Sequence, residues 1–130
     1  MRTPSRHVAI VDDDLPVRKA LARVLAARSF YAATYGSARD FIASLNETIP
    51  ECVIIDVHMP DMTGPELHRH LLKAGYNIPT VFITAHDEPE TRQMCLSSGA
   101  SGYLTKPLDE RLLVEAVSAA TRVRQSSHTS

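Results

Sequence analysis

The chain has 130 residues, with 14 Lys or Arg, 15 Asp or Glu, two Cys and 44% hydrophobic residues. This length fits one domain, because a folded chain of this size buries roughly two thirds of its unfolded surface and needs no disulfide scaffold. A formal net charge of −1 argues against a general electrostatic grip on nucleic acid, which requires clustered Lys and Arg. We therefore expect a protein or a small ion as partner, and no direct nucleic-acid contact.

The ends of the chain and its cysteines suggest an ordinary intracellular protein. No apolar run approaches the ~18 residues that a membrane span requires, and no secretory signal is apparent. Cys52 and Cys95 fit no metal or redox spacing and are expected to be small buried hydrophobes. The sequence thus predicts a cytoplasmic location without a membrane partner, a lead-in at residues 1–6, one domain at 7–124, and a polar tail at 125–130 where the last helix frays.

Five β-type runs alternate with five helical patterns along the chain. Most runs are continuously apolar, as strands covered on both faces should be. The runs are Val8–Val11, Phe30–Tyr35, Cys52–Val57, Thr80–Ala85 and Gly102–Thr105.

The helical patterns carry their own boundary residues. Ser37 and Asp109 are suited to cap the second and fifth helices, and Pro65 to open the third. Gly75 and Gly99 are placed to end the third and fourth helices. Strict strand–helix alternation predicts right-handed crossovers and a doubly wound α/β domain with a five-stranded parallel sheet.

Chemically active side chains follow four of the five runs. In such sheets, ligands bind at the carboxyl ends of the strands, beside the point where the strand order reverses. We therefore expect carboxylates, a hydroxyl and an ammonium group to meet at one edge of the sheet. The first, third, fourth and fifth runs deliver, in that order, Asp12, Asp13 and Asp14, then Asp56, Thr84 and Lys106.

This acidic group favours a hard divalent cation. Two carboxylates about 4 Å apart repel each other by about 4 kcal/mol at an effective dielectric constant near 20, so they hold protons or recruit a cation. Mg²⁺ suits them best, with Mn²⁺ as an alternative, because it takes oxygen ligands and is usually held by one or two carboxylates plus phosphate oxygens. One carboxylate can then attack a phosphoryl group whose oxygens contact Lys106 and Thr84, giving an aspartyl phosphate.

The same residues resemble the signature of the response-regulator receiver domain of two-component signalling. The matching motifs are Val11–Asp14, Asp56–Gly64 with its Met-Pro-x-Met-x-Gly ending, Thr84–Ala85 and Lys106–Pro107, in the family's order and spacing. The match runs from about residue 7 to residue 123. The resemblance implies a flavodoxin-like fold with strand order 2-1-3-4-5.

The resemblance also implies roles for the acidic residues and their neighbour. Asp56 matches the phosphoacceptor, Asp13 a direct magnesium ligand, and Asp12 its partner, often acting through water. The backbone carbonyl of His58 would be a further ligand. Asp14 is expected to be a solvated loop acid or a helix cap.

The remaining motif residues match the conformational switch of receivers. Thr84 matches the switch hydroxyl, Tyr103 the aromatic residue that swings inward when that hydroxyl moves, and Lys106 the phosphate-binding lysine. The Lys106–Pro107 peptide bond is expected to be cis. The fourth helix, fifth strand and fifth helix would form the face that reports phosphorylation.

Partners follow from the same resemblance. A sensor histidine kinase or phosphotransfer protein would dock near the first helix and the fifth βα loop, and a downstream protein would read the switch. The domain would be a monomer or a phosphorylation-dependent dimer, and would catalyse only its own phosphorylation and dephosphorylation. Residues 13–19 and 59–64 look like receivers of the nitrogen-fixation type, which precede a helix-turn-helix domain. We favour a stand-alone receiver, with an excised N-terminal part of a DNA-binding regulator as the alternative.

Two other functions on this architecture fit less well. A magnesium-dependent phosphohydrolase of the haloacid-dehalogenase type would place an Asp at the position of His58. A flavin or nucleotide binder would need a Ser/Thr-rich or Gly-rich turn where residues 12–14 are all acidic.

The histidines carry separate expectations. His58 and His86 follow the acceptor and the switch Thr84 by two residues, and we hypothesise that they tune the lifetime of the phosphate; the alternative is a pair of exposed imidazoles without kinetic effect. His68 and His70 are two apart on a helix and cannot share a ligand, so both are expected at the surface.

Overall fold

Five parallel strands form the central layer of a three-layer α/β fold, with the second strand of the chain at one edge, followed in order by the first, third, fourth and fifth. This computed structural model describes residues 6–129, and side chains through residue 122. The predicted fold class and strand order are confirmed. The strands are β1 Arg6–Val11, β2 Phe30–Tyr35, β3 Cys52–Asp56, β4 Thr80–Thr84 and β5 Gly102–Thr105; the helices are α1 Leu15–Ala27, α2 Ala38–Ser44, α3 Gly64–Lys73, α4 Pro89–Ser97 and α5 Glu110–Thr129.

The core lies on both faces of the sheet, which explains the continuously apolar runs. Phe41, Leu67 and Phe82 belong to the cluster beneath α2, α3 and α4. Leu25 and Leu113 belong to the cluster beneath α1 and α5. β3 and β4 are buried along their whole length, whereas the edge strands β2 and β5 are only partly covered. The interior strands therefore fix the positions of the residues that follow them.

Several element boundaries differ from the prediction by a few residues. β3 and β4 each end one residue early, at Asp56 and Thr84. The backbone of α5 continues to Thr129, past the residue 125 at which the last helix is expected to fray; the fraying itself stays a prediction. No Gly or Pro follows Pro107 in the sequence to end this helix. The predicted lead-in lies outside the described residues, except Arg6, which opens β1.

α3 also corrects two expectations. The helix begins at Gly64, one residue before the expected start, because Thr63 and Glu66 form a capping box in which each side chain accepts the other's backbone N–H. His70 is exposed as expected, but His68 is only 5% exposed. His68 falls in the buried stripe of α3, where it packs edge-on against Phe82 at 5.7 Å between ring centres.

Gly64 brings α3 directly against the end of β3. Its N–H donates to the carbonyl oxygen of Val57 at 2.8 Å. A Cβ atom at this position would lie 2.7 Å from the carbonyl oxygen of Asp56 and 3.0 Å from the Cα of Val57. Both neighbours are backbone atoms that cannot rotate away. The close approach of helix and strand therefore requires glycine here.

We expect Gly64→Ala to lower the free energy of unfolding by about 1–3 kcal/mol, because the added methyl group forces the backbone at Asp56 to shift. Urea unfolding followed by circular dichroism measures the change. Gly102→Ala is the matched control, since its Cβ would meet side-chain atoms no closer than 3.5 Å. Equal stability of the two variants would contradict the close-approach explanation.

Candidate functional site

Three aspartates from two adjacent strands meet at the carboxyl edge of the sheet. Asp12 follows β1 and is fully buried, Asp56 ends β3 and is 5% exposed, and Asp13 is exposed. One carboxylate oxygen from each lies within 4.8 Å of the others. The structure therefore brings together three of the four aspartates that the sequence pattern grouped, and leaves Asp14 outside the cluster.

The Lys106 ammonium group lies beside two of these carboxylates. Its Nζ donates to Asp12 Oδ2 at 3.0 Å and lies 3.7 Å from Asp56 Oδ2. The Lys106 backbone N–H donates to the carbonyl oxygen of Thr84 at 2.7 Å, and the Lys106–Pro107 peptide bond is cis. Residues from β1, β3 and the end of β5 thus share one charged site.

Backbone contacts hold Asp12 in this buried position. The N–H of Asp14 donates to Asp12 Oδ1 at 2.9 Å, and Arg18 Nη1 donates to the Asp12 carbonyl oxygen at 2.7 Å. Asp14 itself caps α1 by accepting the N–H of Val17. The cap was one of the two roles considered for Asp14. No sequence motif predicts the hydrogen bond from Arg18 to Asp12. The Arg18 side chain comes near Asp12 only because α1 has folded.

Thr84 and Tyr103, which the resemblance assigns to a conformational switch, form their hydrogen bonds outside the acidic cluster. The Thr84 side chain is buried, and its hydroxyl donates to the carbonyl oxygen of His86 at 3.2 Å while accepting the N–H of His86 at 3.0 Å. The Tyr103 hydroxyl donates to Asp87 Oδ1 at 3.1 Å. Both hydroxyls therefore contact the loop between β4 and α4.

A cluster of Asp87, Arg92 and Tyr103 ties this loop to α4 and β5. Arg92 donates to both carboxylate oxygens of Asp87, at 2.7 and 3.2 Å. Its guanidinium carbon lies 5.2 Å from the centre of the Tyr103 ring. The hydrogen bonds from Arg92, and then from Tyr103, lower the pKa of Asp87. No sequence motif marks this cluster, since its three members lie on three different elements.

His58 and His86 meet at the rim of the site. The two loops that carry them follow β3 and β4, which are neighbours in the sheet. Both residues are exposed, and their ring centres lie 5.6 Å apart at an interplanar angle of 74°. The hypothesis that these two residues tune a phosphate lifetime stays a prediction. Because their rings are neighbours in the structure, the prediction concerns them as a pair.

Comparison with known proteins identifies the family. A model of the response regulator receiver domain matches residues 8–118. The chain belongs to this family. Receiver domains are signalling domains of two-component systems, and they interact with histidine kinases or phosphotransfer proteins and with output domains.

Named relatives support the same assignment of this receiver. Transcriptional regulatory protein FixJ of Rhizobium meliloti is 35% identical over 114 residues, which cover 88% of this chain and 56% of FixJ. Nodulation protein W of Bradyrhizobium diazoefficiens is 30% identical, with 88% of this chain and 50% of that protein covered. The crystal structure of FixJ-N superposes with a TM-score of 0.84 at 34% identity, covering 94% of this chain and 96% of that one.

The receiver chain spans about half the length of the curated relatives that it matches. Among the described residues, no helix combines the length and the apolar character that a membrane crossing requires.

The donor atoms of the receiver's acidic cluster fit a hard divalent cation. Members of this family typically bind Mg²⁺. The three candidate ligands, Asp12, Asp13 and Asp56, offer only carboxylate oxygens, the donor type that Mg²⁺ prefers. Of these, Asp13 is exposed and gives access from solvent.

The ionised form of the Asp56 carboxylate is electrostatically unfavourable in this receiver. Burial first, and then the charge of Asp12, raise the pKa of Asp56 to about 6, although the Lys106 ammonium acts in the opposite direction. Burial lowers the pKa of Lys106, but its hydrogen bond to Asp12 and the charge of Asp56 outweigh this and raise it overall. The lysine therefore stays charged, and the carboxylates are only partly compensated.

The raised pKa of Asp56 predicts a pH-dependent stability in magnesium-free buffer. Between the ordinary value of 3.8 and about 6, the folded state binds more protons at this residue than the unfolded state. The free energy of unfolding therefore falls as pH rises through this window. We expect Asp56→Asn to remove this loss and to be more stable than the wild type near neutral pH, by on the order of 2–3 kcal/mol.

Urea unfolding at several pH values measures this difference. The stability difference should be large near pH 7, fall to a small fraction of that value near pH 4, and vanish only below the unfolded pKa. Glu115→Gln is the control, because this exposed carboxylate forms only a 3.7 Å surface pair with Arg111. A difference between wild type and Asp56→Asn that is independent of pH would contradict the assignment.

Proposed function

We propose that this receiver accepts a phosphoryl group on Asp56 from a histidine kinase or phosphotransfer protein and then changes its output face, formed by α4, β5 and α5, toward a downstream partner. The observation that carries the proposal is the position of the Asp56 carboxylate at the sheet edge, among two further carboxylates and the Lys106 ammonium. A nucleophile, a cation site and a phosphate-binding charge then lie within one small volume. We place the receiver at residues 7–124.

The proposed chemistry is transfer to a carboxylate. A carboxylate oxygen of Asp56 forms a bond to phosphorus while the bond between phosphorus and the donor breaks, and the leaving group departs on the opposite side. Lys106 Nζ, now shared between Asp12 and Asp56, pairs with a phosphoryl oxygen. Asp12, Asp13, Asp56 and the His58 backbone carbonyl would hold Mg²⁺, or Mn²⁺ in its place, and the ion would supply positive charge to the phosphoryl oxygens.

The surface beside Lys106 suits a docking protein. A groove of about 290 Å³ runs between α1 and the start of α5, and its lining includes Val17, Leu21 and Leu108 besides Lys106 itself. The nearby Leu112 is 48% exposed. Apolar area next to the site gives a kinase or phosphotransfer protein a place to bind while its phosphohistidine reaches Asp56.

Incubation with acetyl phosphate and Mg²⁺, followed by intact mass, tests the chemistry. We expect one phosphate-mass adduct in the wild type and none in Asp56→Asn. Lys106→Ala should react about 10²-fold more slowly, because it lacks the charge that contacts the transferred group. Chelation of Mg²⁺ with EDTA should abolish the adduct.

Two exposed residues provide matched controls for this experiment. Lys73→Ala and Asp61→Asn change the same residue types at exposed positions of the chain and should react at the wild-type rate. An adduct that survives in Asp56→Asn, or the same rate for Lys106→Ala as for Lys73→Ala, would contradict the proposal.

The switch uses contacts that the structure already shows. Phosphorylation adds charge that attracts the Thr84 hydroxyl, which would then leave the carbonyl oxygen and N–H of His86. Release of this loop weakens the contact of Tyr103 with Asp87, and the ring moves inward. Moving such an equilibrium from mostly inactive to mostly active requires about 3–5 kcal/mol, which two or three charge-assisted hydrogen bonds supply.

The cluster of Asp87, Arg92 and Tyr103 should therefore favour the unphosphorylated state. We expect Asp87→Ala and Arg92→Ala each to raise the rate of phosphorylation by acetyl phosphate only about threefold, because hydrogen bonds and ion pairs at an exposed position are weak. The Asp87→Ala/Arg92→Ala double variant should raise the rate by less than the product of the two single increases, because both residues act through one network.

Arg111→Ala is the control for the Asp87→Ala and Arg92→Ala variants. It breaks the surface pair with Glu115 on α5 and should leave the rate unchanged. Rates that fall, or that multiply independently in the double variant, would show that the cluster does not restrain the switch.

A further inference from the structure

His58 and His86 are fixed at the backbone and exposed at the ring. The N–H of His58 donates to Asp56 Oδ1 at 3.4 Å. His86 exchanges two hydrogen bonds with the buried Thr84 hydroxyl, at 3.0 and 3.2 Å. The supporting strands are neighbours, about 4.8 Å apart in a parallel sheet. The two imidazoles therefore stay close together while their side-chain bonds remain able to rotate.

We propose that His58 and His86 form a second metal site, for a borderline transition-metal ion such as Zn²⁺. Imidazole nitrogen suits Zn²⁺, Ni²⁺ and Cu²⁺, whereas Mg²⁺ prefers oxygen ligands. With zinc–nitrogen distances of about 2.0–2.1 Å, two imidazoles on one tetrahedral ion have ring centres roughly 5–6 Å apart. The observed separation is 5.6 Å, so rotation of the exposed rings suffices to direct one nitrogen of each at a shared ion.

This site is chemically distinct from the carboxylate cluster. The cluster of Asp12, Asp13 and Asp56 contains no nitrogen ligand, and its candidate magnesium position uses the backbone carbonyl of His58 rather than its ring. The imidazole pair supplies two ligands and leaves the other positions of the ion to water. Two ligands on one rigid edge bind more tightly than either alone, because the second ligand is already at high effective concentration.

The position of the two histidines implies that a bound ion would affect phosphorylation. His58 lies two residues after Asp56 and His86 two residues after Thr84. An ion on both rings lies at the rim of the site, where a phosphoryl donor must approach. This consequence rests on the proposed function: Zn²⁺ on the pair would slow the phosphorylation of Asp56.

Zn²⁺ binding to the full chain, measured by calorimetry in excess Mg²⁺, tests the site. The Mg²⁺ competes for the carboxylates and leaves the imidazoles available. We expect one Zn²⁺ equivalent to bind, and His58→Gln or His86→Gln to weaken this binding by at least about tenfold. His70→Gln replaces another exposed histidine, and Asp13→Asn removes a carboxylate of the cluster; both should retain the binding.

Wild-type affinity in both His58→Gln and His86→Gln would overturn the proposal, as would loss of binding in Asp13→Asn alone, which would place the ion on the carboxylates. In NMR spectra, diamagnetic Zn²⁺ should shift the ring signals of His58 and His86 and leave those of His70 in place.

A phosphorylation assay distinguishes failure of the zinc proposal from failure of the proposed function. Zn²⁺ should slow modification by acetyl phosphate and Mg²⁺ in the wild type, but not in the His58→Gln/His86→Gln double variant. Failure of acetyl phosphate to modify the wild type in Mg²⁺ alone would count against the proposed function, whereas the calorimetric result stands without any donor.

Discussion

The burial of two carboxylates side by side is the constraint on which the site depends. Asp12 and Asp56 follow adjacent strands in the middle of the sheet, where both faces are covered and little water reaches them. Burial first, and then repulsion by Asp12, raise the pKa of Asp56, and Lys106 compensates only part of this effect. A divalent cation held by these carboxylates would compensate the remaining negative charge. The electrostatic cost of folding thus falls on Asp56, where the proposed chemistry takes place.

The site connects to the proposed output face through consecutive contacts in one loop. Thr84 is hydrogen-bonded to His86, the next residue Asp87 accepts from Tyr103, and Arg92 joins Asp87 to the first turns of α4. Each contact is individually weak, because the participating groups, except the Thr84 hydroxyl, lie near solvent. A modest change at Asp56 can therefore rearrange them, while the buried strands beneath keep their positions.

Much of this arrangement could be predicted from the sequence, because the carboxyl ends of parallel strands share one edge. That rule grouped Asp12, Asp56 and Lys106, which lie far apart in the chain. The cluster around Asp87 could not be found in this way, since its contacts join a loop, a helix and an edge strand. His68 was misplaced because a polar residue can occupy an apolar stripe when its ring packs on Phe82 and its Nδ1 meets Ser98 Oγ. The capping box of α3 was readable as Thr63 and Glu66, three residues apart, and was overlooked in favour of Pro65.

The identity of the phosphorylated residue tests the central claim most directly. Borohydride reduces an acyl phosphate and converts the modified aspartate to homoserine, which peptide mass spectrometry locates in the chain. The account predicts homoserine at Asp56 alone after reaction with acetyl phosphate and Mg²⁺. Homoserine at Asp12 or Asp13, or its absence from a protein that carries the adduct, would contradict it.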